Sequence, residues 1–443
     1  MIQLRPLTPT RIANALVAVV LVLVPFHAFL TVWGSQLVGN YTALRLWSAG
    51  VLVVLLGIAS WWLATDKALR KWFFSSLLVR LILAYGALTL LLGVVSWLKG
   101  SVSAGALAYG VLLNLRFLGW FLAVLLVAQR SGWLAGAWVK IVLVPAAIVV
   151  GFAVLQYTIL PHAFLSHFGY GPGTIEPFET INNNPEYIRV ISTLRGANPL
   201  GAYLVVVLSV LGGLFLAGRR RTVCVVFGIV AALALFASGS RSAWGAAAVS
   251  LAIIIWFRLS SNRSRLIFGG AVGVLVAAAL AGFFLLRHHA DLQNAILHTQ
   301  DNSNISVTSN EAHASALREG VRDMTQQPLG GGPGTAGPAS VHNQAGGVRI
   351  AENYYVQIGQ EVGWLGLALF LSILVLVALE LFQARASLLA LVLFASFVGL
   401  ALVNFVSHAW TDDTVAFLWW GLAGIALARP LPKSKGTKRE AAK

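Results

Sequence analysis

Twelve runs of apolar residues, beginning near positions 12, 43, 75, 103, 134, 199, 222, 243, 266, 355, 387 and 412, occupy most of this 443-residue chain. Each approaches the roughly 20 residues that carry a helix across about 30 Å of hydrocarbon. Only 10% of the residues are charged and 58% are apolar, whereas soluble globular proteins carry about 25% charged residues. A water-soluble enzyme is thereby excluded. The expected fold is an all-α integral membrane protein of about twelve transmembrane helices, forming one polytopic domain over residues 1–443. The first run, from Ile12 to about Trp33, is too long for a signal-peptide core, and no small-residue cleavage site follows it, so it reads as a retained signal anchor. The single cysteine, Cys224, sits inside an apolar run and leaves no disulfide to build.

The net charge of +16 would suit nucleic acid if it formed a patch. Instead, the basic residues mostly occupy short gaps between apolar runs, which is a topology signal. With an even number of spans and cytoplasmic termini, alternate gaps hold Arg5 and Arg11, then Lys67, Arg70 and Lys71, then Arg130, Arg219–Arg221, Arg258, Arg263, Arg265 and Arg385. The basic tail from Arg429 onward completes a set of 19 of the 31 Lys and Arg residues. The tail, residues 430–443, reads as a solvated cytoplasmic end, and the localisation expected is the cytoplasmic membrane. Tryptophan pairs Trp61-Trp62 and Trp419-Trp420 fit interfacial belts.

Two outer segments are long, residues 161–198 and residues 287–353. Loops beyond about 12–15 residues are usually functional or disordered, and these hold seven of the nine histidines, among them His313 and His342. Both mix apolar residues with turn residues, so each is expected to cap the bundle. The glycine strip Gly330–Gly334 lacks the Gly-Lys-Ser/Thr ending of a P-loop and reads as a flexible turn by which the second loop re-enters the bundle. No oxygen-rich cluster surrounds Glu176 and Glu179 or Asp412-Asp413, so neither a metal nor another cofactor is expected.

Outer Arg189, Arg195, Arg241, Arg318, Arg322 and Arg349 run against the positive-inside bias. A phosphate-bearing substrate accounts for them, because guanidinium forks match phosphate oxygens bidentately. The alternative is pairing with outer carboxylates such as Glu179, Asp323 and Glu352. Arg195 and Asn198 precede a span that opens with Pro199 in its first turn. Arg241 sits in the tight outer hairpin Ser238-Gly239-Ser240-Arg241-Ser242. Arg116 lies inside the fourth span with no acid nearby in sequence, and an intramembrane cation of that kind is a functional candidate.

At these residues the sequence resembles the O-antigen ligase and O-antigen polymerase superfamily. The resemblance runs in motif terms from about Arg189 to Val375. The family pattern is a His-Asn-x-Tyr-Leu start, a Glu nine residues after the His, and a Gly-x-x-Gly. This chain has Asn353, Tyr355, Glu361, Gly363 and Gly366 in register, with Glu352 where the ligases place histidine. Arg195 with Asn198-Pro199, Arg241 in its Ser-Arg hairpin, and Arg318 before the Pro-Leu-x-Gly strip match in order and spacing.

The resemblance implies a GT-C-like fold and a metal-independent glycosyl transfer at the outer membrane face. The donor would be an undecaprenyl-pyrophosphate-linked glycan and the acceptor a sugar hydroxyl on another glycan or glycolipid. Arg195, Arg241, Arg318 and Arg116 would hold the pyrophosphate as the glycosidic bond breaks. Glu352 would take the acceptor proton, with His342 as the substitute imidazole, and Asn198, Asn353 and Tyr355 would support the site. A flippase or transporter competes, but it calls for paired broken helices or two-fold hydropathy symmetry near the midplane, and here the polar groups lie at one face. A non-enzymatic scaffold is the third class. Ligase and polymerase differ only in the acceptor.

Overall fold

The computed structural model describes residues 8–181, 184–286, 289 and 309–428. The basic tail, residues 430–443, lies outside the described residues, as does part of the long segment 287–353. Each of the twelve expected runs is helical. The first is interrupted at Pro25, where the missing amide leaves α1 (Pro9–Leu23) and α2 (His27–Val38) joined by a 3-10 turn. Short α3 (Tyr41–Arg45) leads into α4 (Trp47–Thr65), and α5 (Lys67–Ser75) presents Lys67, Arg70 and Lys71 before α6 (Leu77–Leu98). Next come α7 (Ala104–Arg130) and α8 (Trp133–Thr158). A hairpin of β1 (Glu179–Ile181) and β2 (Asn184–Arg189) follows, paired antiparallel with Glu179 opposite Arg189. The chain continues through α9 (Ala197–Leu216), α10 (Arg221–Ala237), α11 (Arg241–Arg258) and α12 (Asn262–Leu286). It ends with α13 (Ser309–Gln326), α14 (Tyr354–Gln383), α15 (Leu388–Val403) and α16 (Asp413–Leu427).

Among the described residues, eight helical segments are long and apolar enough to cross a membrane, counting α1 and α2 as one. The others, α10, α15 and α16, are shorter apolar helices, and α11 has 18 residues. Side-chain oxygens of Asp66, Ser76, Ser103, Asn353 and Asp412 accept from backbone amides in the first turns of α5, α6, α7, α14 and α16, which supplies partners for groups that a helix start leaves open.

The core gathers around α7, α9 and α16, where most side chains are buried. Trp419 and Trp420 belong to it. Both are fully buried beside Trp410, with ring centroids 5.2–5.7 Å apart, so this pair is core rather than an interfacial belt. Trp61 is exposed and Trp62 buried. α12 buries none of its residues.

The glycine strip enters the bundle, but it is clamped rather than flexible. α14 is broken at Gly363 (φ 69°, ψ −174°), a conformation open essentially to glycine alone. The break frees carbonyls, and the strip meets them. Gly331 donates to the Gln360 carbonyl and Gly332 to that of Glu361, each at 2.8 Å, while Trp364 donates to the Pro328 carbonyl at 3.0 Å. Gly334 lies against the backbone of Gly110 and Ala106 on α7, an approach that leaves no room for a Cβ on either glycine. The buried Glu361 carboxylate accepts from the Gly334 amide and from Asn114 on α7, both at 2.7 Å.

Candidate active site

Helices α7, α9, α11, α14 and α16 all start at one face of the bundle, and the β1–β2 hairpin lies there too. Helix starts expose unpaired amides and a positive dipole end, so this face favours anions before any side chain is added.

Arg189 ties its parts together. Its Nε donates to the Ser238 carbonyl at 2.9 Å, its Nη2 to Asn198 Oδ1 at 2.6 Å, and its Nη1 lies 3.3 Å from Glu179 Oε2. The hairpin, the start of α9 and the α10–α11 turn are thereby joined through one guanidinium. Glu179 Oε1 in turn accepts from the Ala197 amide at 3.1 Å. Gly196, which precedes α9, has no side chain to do this, so a carboxylate from the hairpin serves as the cap.

Arg195, half-exposed, has its Nε 3.7 Å from Asp412 Oδ2. Burial opposes its charge, but Asp412, with Tyr109, Asp413 and Tyr41, outweighs that and holds its pKa above the ordinary arginine value. Burial raises the Asp412 carboxyl against the pull of Arg195. These two residues line a cavity of about 200 Å³ together with Glu179, Asn198, Pro338 and His408. Burial and Arg195 push the His408 imidazole down to about 4.

Arg241, the first residue of α11, is near Arg189 and also near His313 on α13, whose imidazole is held below its ordinary pKa by burial and by Arg241. His313 Nδ1 contacts Glu352 Oε2. Glu352 itself is half-exposed and adopts φ 51°, a left-handed conformation unusual for a residue other than glycine. Arg318 is exposed on the same α13. His342 is exposed and edge-on to Tyr109, which accepts a hydrogen bond from Arg45.

Several expectations change with the fold in view. Arg116 has an acid after all, because the fold brings Asp413 from nearly 300 residues away. The two form a buried ion pair, Arg116 also donates to the Thr411 carbonyl, and His27 Nε2 lies 3.6 Å from Asp413. This arginine holds the start of α16 and faces its partners rather than the cavity. Asn353 caps α14 through Val356 N at 3.0 Å and donates to the Phe405 carbonyl at 3.0 Å. Tyr355 donates to the Ala401 carbonyl at 3.0 Å and lines an apolar groove between α14 and α15. Both are structural ties. Arg349 pairs with Asp323 at 2.8 Å, as the carboxylate alternative anticipated. In the sequence, Arg189, which builds the cavity, stands out only as one of six arginines against the positive-inside bias and Asp412 only as half of a carboxylate pair, while His408 has nothing but its place in a gap between apolar runs to mark it. Among the described residues, no three His, Cys, Asp or Glu side chains gather as metal ligands.

No curated protein matches the chain. Residues 226–371 match the family model described as O-antigen ligase. The matched stretch contains Arg241, His313, Arg318, Glu352, the glycine strip and the break in α14, whereas Arg195 and His408 lie outside it. Over residues 226–371, the resemblance of this membrane chain to the O-antigen ligase superfamily is thereby shown.

Proposed function

We propose that the protein transfers a glycan from an undecaprenyl-pyrophosphate carrier to a sugar hydroxyl on a second glycan or glycolipid, at the outer face of the cytoplasmic membrane. The ligase match supports a ligase- or polymerase-type membrane glycan enzyme. A diphosphate donor suits the site, where Arg195, Arg189 and Arg241 gather with five helix starts at one face. The Arg189 guanidinium acts from a fixed position, held by Ser238, Asn198 and Glu179. Such an array binds a diphosphate and stabilises the charge that grows on it as the glycosidic bond breaks, at no cost of reorganisation.

In this reading the chain crosses the membrane twelve times, with α10, α11, α15 and α16 completing the longer spans and the termini in the cytoplasm. The basic residues at the opposite face support that orientation. There Arg130 pairs with Asp66 at 2.9 Å and stacks over Trp62. The acceptor hydroxyl must also lose a proton. Glu352 and His342, nominated by the resemblance, both stand at the arginine-bearing face.

The test is to delete the gene and identify the lipid-linked glycan that accumulates. Full-length chains on the carrier are expected if the protein is a ligase, and single repeat units if it is a polymerase. Unchanged lipid-linked glycans would overturn the proposal.

A further inference from the structure

We infer that His408 is the proton acceptor of the transfer: its imidazole lines the Arg195 cavity and its Nε2, shielded from bulk solvent, has no hydrogen-bond partner in the protein. This rests on the glycan-transfer reading above and adds a residue to it from outside the ligase-matched stretch.

A buried nitrogen left without a partner costs stability. Such a group is retained where a ligand completes it. Here the loop between α15 and α16 fixes the backbone that carries the ring. The His408 carbonyl accepts from the Thr411 amide and hydroxyl at 3.0 and 2.8 Å. Upstream, the Asn404 carbonyl accepts from the Tyr354 amide at 2.9 Å, and Asn353 donates to the Phe405 carbonyl. The family-matching Asn353 therefore clamps the loop that carries His408. The ring sits edge-on to Tyr354 with centroids 6.4 Å apart.

The other candidates are placed less well. Glu352 is half-exposed against His313, and His342 is exposed beside Tyr109. The carboxylates in the cavity are engaged, Glu179 by Arg189 and the Ala197 amide, and Asp412 by Arg195 and the Val415 amide. His408 is a neutral acceptor facing a cation. Its charged and titratable neighbours are Arg195 before α9, Asp412 in its own loop, Glu179 on β1 and Tyr354 on α14. Burial and, second to it, Arg195 suppress its basicity. A diphosphate on Arg195 offsets the second of these, so the base becomes stronger when donor is bound.

The step then balances without a further reactant. The acceptor oxygen attacks the anomeric carbon, and the bond from that carbon to the diphosphate oxygen breaks with its electron pair passing to the diphosphate. The hydroxyl proton passes to His408 Nε2, and later to the released lipid diphosphate or to water.

The experiment uses the full chain in detergent, with donor and acceptor extracted from cells lacking its gene, and undecaprenyl diphosphate as the binding probe. His408→Gln is expected to lower turnover by about 10²–10⁴-fold, with probe affinity within about threefold of wild type. Imidazole added to His408→Ala should restore part of the activity, and the exposed control His167→Gln should behave as wild type. Retained turnover in His408→Gln, or inactivity of Glu352→Gln alone, would overturn the assignment while leaving glycan transfer intact. A wild-type protein that transfers nothing from lipid-linked glycan would overturn the transfer reading itself. If His408→Gln proves unstable, the imidazole rescue decides: restoration supports the assignment and no restoration refutes it.

Discussion

Gly334 donates its backbone amide to Glu361 Oε1 at 2.7 Å across the break in α14. The carboxylate is fully buried, and its other oxygen accepts from Asn114. A loop strip, a broken helix and α7 thus share one acid, and through them the start of α14 is fixed against the cavity. Three of the resemblance positions, Glu361, Gly363 and the glycine strip, therefore build the scaffold on which Asn353 and the His408 loop are held.

Gly363→Ala is expected to destabilise the protein more than an ordinary helix substitution. The residue occupies a region of backbone space that costs a side chain about 1–3 kcal/mol, and the new Cβ would collide with the Pro328 carbonyl. A lowered melting midpoint in detergent, with turnover lost in parallel, is the expected readout. An unchanged midpoint would mean that α14 runs straight.

Arg116→Met should strip Asp413 of its partner inside the protein. Breaking a buried pair by removing one member costs about 3–5 kcal/mol, while replacing both members is often close to neutral. The double variant Arg116→Met with Asp413→Leu should therefore recover much of the stability lost by the single change. If Arg116 instead served the diphosphate directly, probe binding would stay lost in the stabilised double variant.

The helices were legible because hydrocarbon imposes length and polarity directly on sequence: every expected run is helical, and among the described residues eight segments are long and apolar enough to cross a membrane. The arginine-bearing face was legible in part, since its arginines lie in the gaps that alternate with the more basic ones. What could not be read was pairing across the chain. Arg116 and Asp413 lie 297 positions apart, and nothing in either segment announces the other. The burial of Trp419 and Trp420 depends on Trp410 and α7 closing over them, which a local aromatic pattern cannot report. Glu352 and His408 illustrate the same limit at the site. A motif position drew attention to the first, while the second has no motif and becomes visible only once its loop folds beside Arg195.

Acid sensitivity should report on His408. Its folded pKa, about 4, lies below the ordinary histidine value near 6.5, so between those values the unfolded chain binds the proton more readily than the folded one. Stability then falls as pH drops from about 6.5 to about 4, with no further loss from this group below that. The raised Asp412 pKa acts in the opposite sense in the wild type and in His408→Gln alike, so the difference between them isolates the imidazole. The melting midpoint of wild type should fall faster with acid than that of His408→Gln, and parallel curves would place His408 in contact with solvent.

Arg195→Lys tests the diphosphate assignment at a half-exposed residue whose ion pair with Asp412 is long. The guanidinium touches Asp412 only at 3.7 Å through Nε, which a lysine can approximate as a point charge. A lysine cannot reproduce the planar fork that engages two phosphate oxygens at once. Folding stability should therefore change little, whereas affinity for undecaprenyl diphosphate should drop by about tenfold, the loss of roughly one charge-assisted hydrogen bond. Undecaprenol, which lacks the phosphates, should bind wild type and variant equally. Equal binding of the diphosphate to both proteins would remove Arg195 from the donor site and leave the anion to Arg189 and Arg241.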